Sequence, residues 1–382
     1  MSADIQGPAW RWDRALIVLV AMTFITAVLA EIAVRIDDRM ERGIPFLDNP
    51  TYESELRVRR DGILEGRPFG HYQKWQLNSW GFRGPEIGLE KRTGCDRIMV
   101  IGASEMFGLY ESPGNDFAAA LRSKLTGRRC AEVINTAMAG MSLGAARIYW
   151  SARLAQFRPD LVLLYVTPAL QINDTFPPAP PAAASKPGPA AKGGDDSAPR
   201  IYRSRLIDWL RQYIHLPDSM HDRSVRREID QEINRHPAQW VLHSAPEQGL
   251  QSFSYNLGAL VDEIAQSGAH IVLMTHAERV RSATIEDNPH DALSLEANNP
   301  HVAPKAQVEF DELANARVRQ FAEARNLPLV DLDKLLTGCR ECFFDPVHFT
   351  DAGASRAATA VAAALGTSDL IPKLVTNEKD MP

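Results

Sequence analysis

At 382 residues the chain is long for one small domain and short for three. Hydrophobic residues make up 45% and charged residues 24%, which excludes a wholly disordered or fibrous chain. Lys and Arg number 42 against 48 Asp and Glu, a formal charge of −6 and the opposite of a polyanion binder's bias, so no nucleic acid is expected as a partner. A mean hydropathy of −0.23 excludes a multi-span transporter and leaves room for one or two spans.

One span is visible. After an N-terminal tail (residues 1–14), Ala15 to Val34 is apolar except for Glu31 and is long enough to cross a hydrocarbon core of ~30 Å. Arg11 and Arg14 precede it while Arg35, Arg39 and Arg42 follow, so the count of basic residues does not orient it. Val28-Leu29-Ala30 fits a signal-peptide cleavage pattern. The length of the apolar run, and the helical charge spacing that continues beyond it, favour an uncleaved anchor. Either way the rest of the chain is sent across the membrane. Residues 35–94 lack a long periodic pattern and are expected to form a membrane-proximal stalk.

From residue 95 to 366 short apolar runs alternate with amphipathic stretches. The runs Arg97–Ile101, Glu132–Asn135, Leu161–Val166, His270–Thr275 and Leu327–Asp331 read as strands covered on both faces. Helices are expected over Asp116–Leu125, Leu143–Gln156, Phe253–Gln266, Glu309–Ala324 and Asp351–Leu365. This is the pattern of a flavodoxin-like, doubly wound three-layer α/β fold with a five-stranded parallel sheet. Residues 177–250 interrupt it. Pro177 to Pro199 is too rich in Pro, Ala and Gly to bury a core and reads as a disordered loop. Ile201–Ile214 and Ser224–Leu242 read as helices, either a lid or docking element or a plain helical elaboration. Residues 367–382 form a polar tail.

The four cysteines bear on the compartment. Cys95 and Cys130 each stand just ahead of a strand, where neighbouring parallel strands would bring them within disulfide reach. Cys339 and Cys342, in CREC, would close a small loop. The alternatives are four buried thiols or, for CREC, half of a zinc site. Zinc needs a second ligand pair, none stands out, and no metal is expected. Two disulfides in an oxidising periplasm is the better account.

In open α/β sheets ligands collect at the carboxyl ends of the strands. After the first strand come Gly102-Ala103-Ser104, where a sharp turn can present a hydroxyl at a helix start; a plain N-cap serine is the competing reading. After the last strand comes Asp345-Pro346-Val347-His348, in which the carboxylate can orient the imidazole as a general base. The two together, on one sheet edge, are much harder to dismiss than either alone. His276, at the end of the fourth strand, faces the same edge and is a weaker candidate for touching substrate. The remaining histidines lack metal-ligand spacing, and no nucleotide-binding glycine fingerprint is present, so no cofactor is expected.

These residues resemble the SGNH (GDSL-type) serine hydrolases. The resemblance rests on Gly102, Ser104, Phe107 and Gly108, on Asn135-Thr136-Ala137-Met138-Ala139-Gly140, and on the block from Asp345 to Gly353. The lead-in from Asn78 to Glu86 is similar to that of membrane-anchored bacterial members. The resemblance implies Ser104 as nucleophile, His348 as base, Asp345 as its orienting acid, and the N–H groups of Ser104 and Gly140 as oxyanion donors. Two departures stand out. Ala103 replaces the family's usual Asp, and Val166-Thr167-Pro168-Ala169 stands where Gly-x-Asn-Asp is usual. Asn173 or Thr167 would have to replace the missing asparagine.

The expected protein is therefore an esterase or O-acyltransferase, single-pass in a bacterial inner membrane through residues 15–34, with its catalytic domain in the periplasm. An acylated envelope carbohydrate is the substrate implied by resemblance to anchored members. A membrane-bound acyltransferase or polysaccharide assembly protein is the implied partner. The alternative is a weak or inactive binding or assembly protein on the same fold. A distance of ~3 Å between Ser104 Oγ and a His348 ring nitrogen would favour the enzyme, and one well over ~6 Å the binding protein.

Overall fold

The computed structural model describes residues 9–42, 46–47, 51–125, 130–176, 204–207 and 218–367. The loop expected at Pro177–Pro199, most of the helix expected at Ile201–Ile214 and nearly all of the C-terminal tail lie outside them. The chain divides into two units.

The first unit holds helix α1 (Ala9–Arg42). Its stretch from Arg14 to Met40 holds an 18-residue window of mean hydropathy 2.5 in which no side chain is buried, so by length and composition it can cross a membrane. A signal sequence meets the same test. Glu31, the single charge within the expected span, accepts hydrogen bonds from Ser204 Oγ and from the N–H groups of Arg205 and Leu206. Arg35 pairs with it one turn on, at 2.7 Å.

In the second unit, α2 (Tyr52–Leu56) leads into two small hairpins, β1 (Arg57–Arg60) with β2 (Ile63–Gly66) and β3 (His71–Tyr72) with β4 (Trp75–Gln76). The central sheet follows: β5 (Asp96–Ile101), β6 (Ala131–Asn135), β7 (Leu161–Tyr165), β8 (His270–Met274) and β9 (Leu329–Val330), in the order β6-β5-β7-β8-β9 with every pair parallel. This is the flavodoxin-like order expected of the strand pattern. Alternate residues of the same apolar run feed two separate cores, because successive side chains on a strand point to opposite faces. Met99, Ile134, Val162 and Leu273 face one core. Ile98, Val100, Leu163 and Met274 face the other.

The helices fill both layers. The single-turn helix α3 (Ser104–Phe107) is followed by α4 (Phe117–Leu125) and α5 (Leu143–Tyr149). After α6 (Asp218–Ile233) come α7 (Glu247–Gln266), α8 (Pro289–Asn298), α9 (Pro304–Ala324), α10 (Leu332–Leu336) and α11 (Asp351–Thr367). Residues from α5, α7 and α9 pack on the first core, and residues from α4 and α11 on the second.

Several sequence expectations need revision. Residues 52–94 are not a stalk: Leu56, Leu77 and Phe82 are buried core residues of the α/β unit. Short hairpins carry no long period, so pattern alone could not separate them from a linker. The last strand is shorter than expected because Pro328 has no N–H to donate and contributes only its carbonyl, to Leu273. The helix expected over Ser224–Leu242 ends at Ile233, ahead of Pro237. Helix α5 passes into a π turn at Trp150–Leu154 and a 3-10 turn at Ala155–Phe157. Helices α8 and α10 had no clear sequence signal.

Both disulfides are formed. Cys95 and Cys130 lie at the entries to the adjacent strands β5 and β6 with Cα atoms 4.5 Å apart, and Cys339 bonds Cys342. At this same end of the sheet Arg97 is fully buried, paired with Glu132 at 2.8 Å and donating to the carbonyls of Gly88, Leu89 and Phe157. Removing one partner of a buried pair costs ~3–5 kcal/mol when the other charge is left uncompensated; Glu132 keeps its contact with Arg92 at 2.9 Å, so the low end, ~3 kcal/mol, applies here. Arg97→Met should therefore lower the unfolding free energy by about that amount in a denaturant titration. A loss under ~1 kcal/mol would show that this end of the sheet does not depend on the pair.

Candidate active site

The carboxyl edge of the sheet collects the chemistry. Strand β5 ends at Ile101, and within three residues Ser104 opens α3. This helix is a single turn, closed by Gly108 at φ +87°. A side chain at Gly108 would meet both the strained backbone and the Arg83 guanidinium, so only glycine fits. The Met106 carbonyl of α3 accepts from the side chain of Asn135, at the end of β6, and the Phe107 carbonyl from Arg83. The amide oxygen of Asn135 in turn accepts the N–H of Ala137, shaping the chain toward Gly140.

The residues expected to act together are brought together. Ser104 Oγ lies 2.9 Å from His348 Nε2, and His348 Nδ1 lies 2.7 Å from Asp345 Oδ2. A carboxylate can only accept from the ring, so Nδ1 carries the proton and Nε2 accepts the serine hydroxyl proton. The other oxygen of Asp345 accepts the backbone N–H groups of Val347 and His348, which fixes the turn. Arg279 clamps this turn from outside, its N–H donating to the Pro346 carbonyl and its guanidinium to that of Phe344. Asp351, at the start of α11, accepts from the Ser112 N–H and the Asn115 amide, tying the segment that bears His348 to the chain after Ser104.

Gly140 adopts φ +74° after β6, and the Arg57 guanidinium donates to the preceding carbonyl of Ala139. The hairpin region thus braces the stretch from Asn135 to Gly140, a contact that motif spacing could not reveal. Thr167 reaches the site indirectly, its hydroxyl donating to Glu105 Oε2 at 3.3 Å. Asn173 is directed elsewhere: its side-chain nitrogen donates to Asn299 at 3.4 Å, at an exposed position. His276 is a correction, since at 0% exposure it cannot touch substrate. It sits beneath the site, with Nε2 3.2 Å from Glu105 Oε1.

Glu105 is the residue that sequence reasoning missed. It follows Ser104 directly, is 1% exposed, and its second oxygen lies 3.5 Å from Ser104 Oγ. Burial pushes its carboxyl up, but the hydrogen bond and charge of His276, with the charge of His348, hold it below the usual range. Its only sequence signal is a charge where a buried side chain belongs. Burial likewise pushes Asp345 up, and the His348 hydrogen bond outweighs this and keeps it ionised. For His348 burial favours the neutral ring. The hydrogen bond and charge of Asp345, then the charges of Glu105 and Glu111, prevail and raise it above its ordinary value. Glu111 is pushed up to about 8 by burial.

Tyr110 stands 5.1 Å from the His348 ring, between centroids, and stacks on Phe344 with centroids 4.1 Å apart. Phe344 is 59% exposed. Among the described residues, buried His276, Glu278 and Asp311 could hold a metal by type and spacing, as could the group of Glu341 with Cys339 and Cys342, whose sulfurs are committed to a disulfide.

No family model and no curated relative matches this sequence. Among solved structures, the chain is similar to Axe2, an acetylxylan esterase from Geobacillus stearothermophilus, at 15% identity and a TM-score of 0.41, covering 72% of this chain and 95% of that one. A lipase/acylhydrolase from Enterococcus faecalis gives 13% identity and a TM-score of 0.40, over 71% and 95%. A lipolytic protein of the G-D-S-L family from Desulfitobacterium hafniense gives 11% and 0.39, over 70% and 98%. Likeness at that level leaves the site to be judged on its own geometry.

A base must be neutral to accept a proton, so any activity that uses His348 falls as pH drops through its raised pKa. The acid limb of kcat/KM should therefore have its midpoint above ~6.5, the ordinary histidine value. Glu105→Gln removes a negative charge that favours the protonated ring and should move the midpoint to lower pH. A midpoint unchanged in this variant would show that Glu105 does not act on His348.

Proposed function

We propose that this protein is an SGNH-type serine esterase or O-acyltransferase, anchored in a bacterial inner membrane by residues 15–34, that acts on O-acyl groups of an envelope carbohydrate in the periplasm. The observation that carries the reading is the unbroken hydrogen-bonded run from Ser104 through His348 to Asp345, at 2.9 and 2.7 Å.

In this reading Ser104 Oγ attacks the ester carbonyl carbon while His348 Nε2 takes its proton. The carbonyl oxygen becomes an oxyanion that the N–H groups of Ser104 and Gly140 would receive. His348 then returns the proton to the departing alkoxide, which leaves an acyl group on Ser104. Water releases it as a free acid; a sugar hydroxyl instead yields a new ester. Asp345 holds the ring tautomer and stabilises the imidazolium between the steps. With Thr167 donating to Glu105, two backbone donors carry the oxyanion, and a slower enzyme than one with three is expected. That missing donor is what favours the second reading, a binding protein of polysaccharide assembly with weak catalysis.

The exposed stack of Tyr110 and Phe344 beside His348 supports a carbohydrate substrate, since pyranose rings present C–H faces that pack on flat aromatic surfaces. The two disulfides support an oxidising compartment.

Purified protein should hydrolyse a small activated acetyl ester, and Ser104→Ala should reduce kcat by at least ~10³. Equal activity in that variant would remove Ser104 from the mechanism. Phe344→Ala should raise KM for an acetylated oligosaccharide by roughly 3–10-fold while leaving the small ester's kinetics alone. Unchanged O-acyl content in the surface polysaccharide of a deletion strain would count against the carbohydrate assignment.

A further inference from the structure

Behind the nucleophile lies a second cluster that the esterase chemistry does not use. His276 and Glu278 follow β8, and Asp311 projects from α9; they are 0%, 4% and 2% exposed. One ligand-type atom from each lies within 4.8 Å of the others. Three of their atoms are buried without a hydrogen-bond partner: His276 Nδ1, Glu278 Oε1 and Asp311 Oδ1. Two carboxylates facing each other in a dry interior repel, and desolvation adds to the cost unless a positive charge lies between them. Among the described residues no lysine or arginine pairs with either; the one group able to carry a positive charge against them is His276, 3.5 Å from Asp311, and a bound ion would take the place of its Nδ1 proton. The nearby Arg279 and Arg281 are committed to Asp291 and Asp333.

We propose that His276, Glu278 and Asp311 bind a divalent transition-metal ion of the zinc class. The donor set of one imidazole nitrogen and two carboxylates suits zinc or manganese better than calcium or magnesium, which prefer oxygen alone. Zinc bonds of about 2.1 Å at tetrahedral angles place neighbouring ligand atoms ~3.4 Å apart. His276 Nδ1 and Asp311 Oδ2 are 3.5 Å apart.

The surroundings have the character of a metal site's outer shell. The backbone of His276 is held at both ends by the Asn315 amide, one helical turn after Asp311, and the N–H of Glu278 donates to Thr337 Oγ1. A metal-ligating histidine ordinarily donates its other ring N–H to a carboxylate, which fixes its tautomer and orientation. Here that carboxylate is Glu105. Through it the ion would set the seat beneath Ser104, acting as a positioning element rather than in the bond-making steps. The inference requires no particular ester substrate.

The test is metal content. Full-length protein in detergent, kept non-reducing so that Cys339 and Cys342 stay bonded, is equilibrated with Zn²⁺, dialysed against metal-free buffer and analysed by mass spectrometry of the elements. About one zinc per chain should remain, as a three-residue site predicts. Its thermal unfolding midpoint should rise with zinc and fall again with a chelator. Asp311→Asn and Glu278→Gln should each weaken retention by at least ~10-fold. If either variant fails to fold, the zinc content and chelator-dependent midpoint of the wild type decide the matter. Folded wild-type protein that retains neither zinc nor manganese, with a midpoint no ion or chelator moves, would overturn the proposal. So would folded variants that retain zinc as the wild type does, because the ion would then lie elsewhere.

Discussion

A sheet buried on both faces leaves its chain only two places to carry charge, the two ends of its strands. Every residue of β5 and β7 is buried, and the helices on either side seal both cores. Polar chemistry is confined to the edges, and at each edge it comes paired. At the amino end Arg97 meets Glu132 beside the Cys95–Cys130 bridge. At the carboxyl end Asp345 meets His348, and Glu105 meets His276. Burial makes each unpaired group expensive, so the pairing rule that stabilises the edges also positions Ser104, His348 and Asp345, the groups proposed to react.

Much of this was legible beforehand. Consecutive Val, Ile and Leu residues marked the five strands, and strand order followed from the pattern of a doubly wound sheet. Ser104, Asp345 and His348 were legible because short motifs fix them locally: one turn after β5, and one Asx-type turn before α11. The two disulfides were legible because parallel neighbours begin side by side.

The rest depends on contacts distant in sequence. Arg57 supports the Ala139–Gly140 turn, and Arg83 supports the end of α3. Both belong to hairpins and turns that carry no long period and so resembled a stalk. Asn173 could be placed at the oxyanion side only by supposing that its loop folded back; the 3-10 turn after Thr167 instead leaves its amide against Asn299. His276 stood at the correct strand end, yet whether a strand-end side chain turns up to solvent or down into the core is decided by its neighbours. Glu105 and Asp311 settle that here, by burying a carboxylate on either side of the ring, 3.2 Å from Nε2 and 3.5 Å from Nδ1.

The central claim is that Ser104 is an activated nucleophile, and covalent capture tests it most directly. A fluorophosphonate reacts with a serine only when a neighbouring base removes its proton and donors receive the phosphoryl oxygen. Full-length protein treated with the probe, digested and mapped by mass spectrometry should carry a single adduct on Ser104, with labelling strongly slowed in Asp345→Asn. Folded protein that remains unlabelled, or an adduct on another serine while Ser104 stays free, would contradict the account.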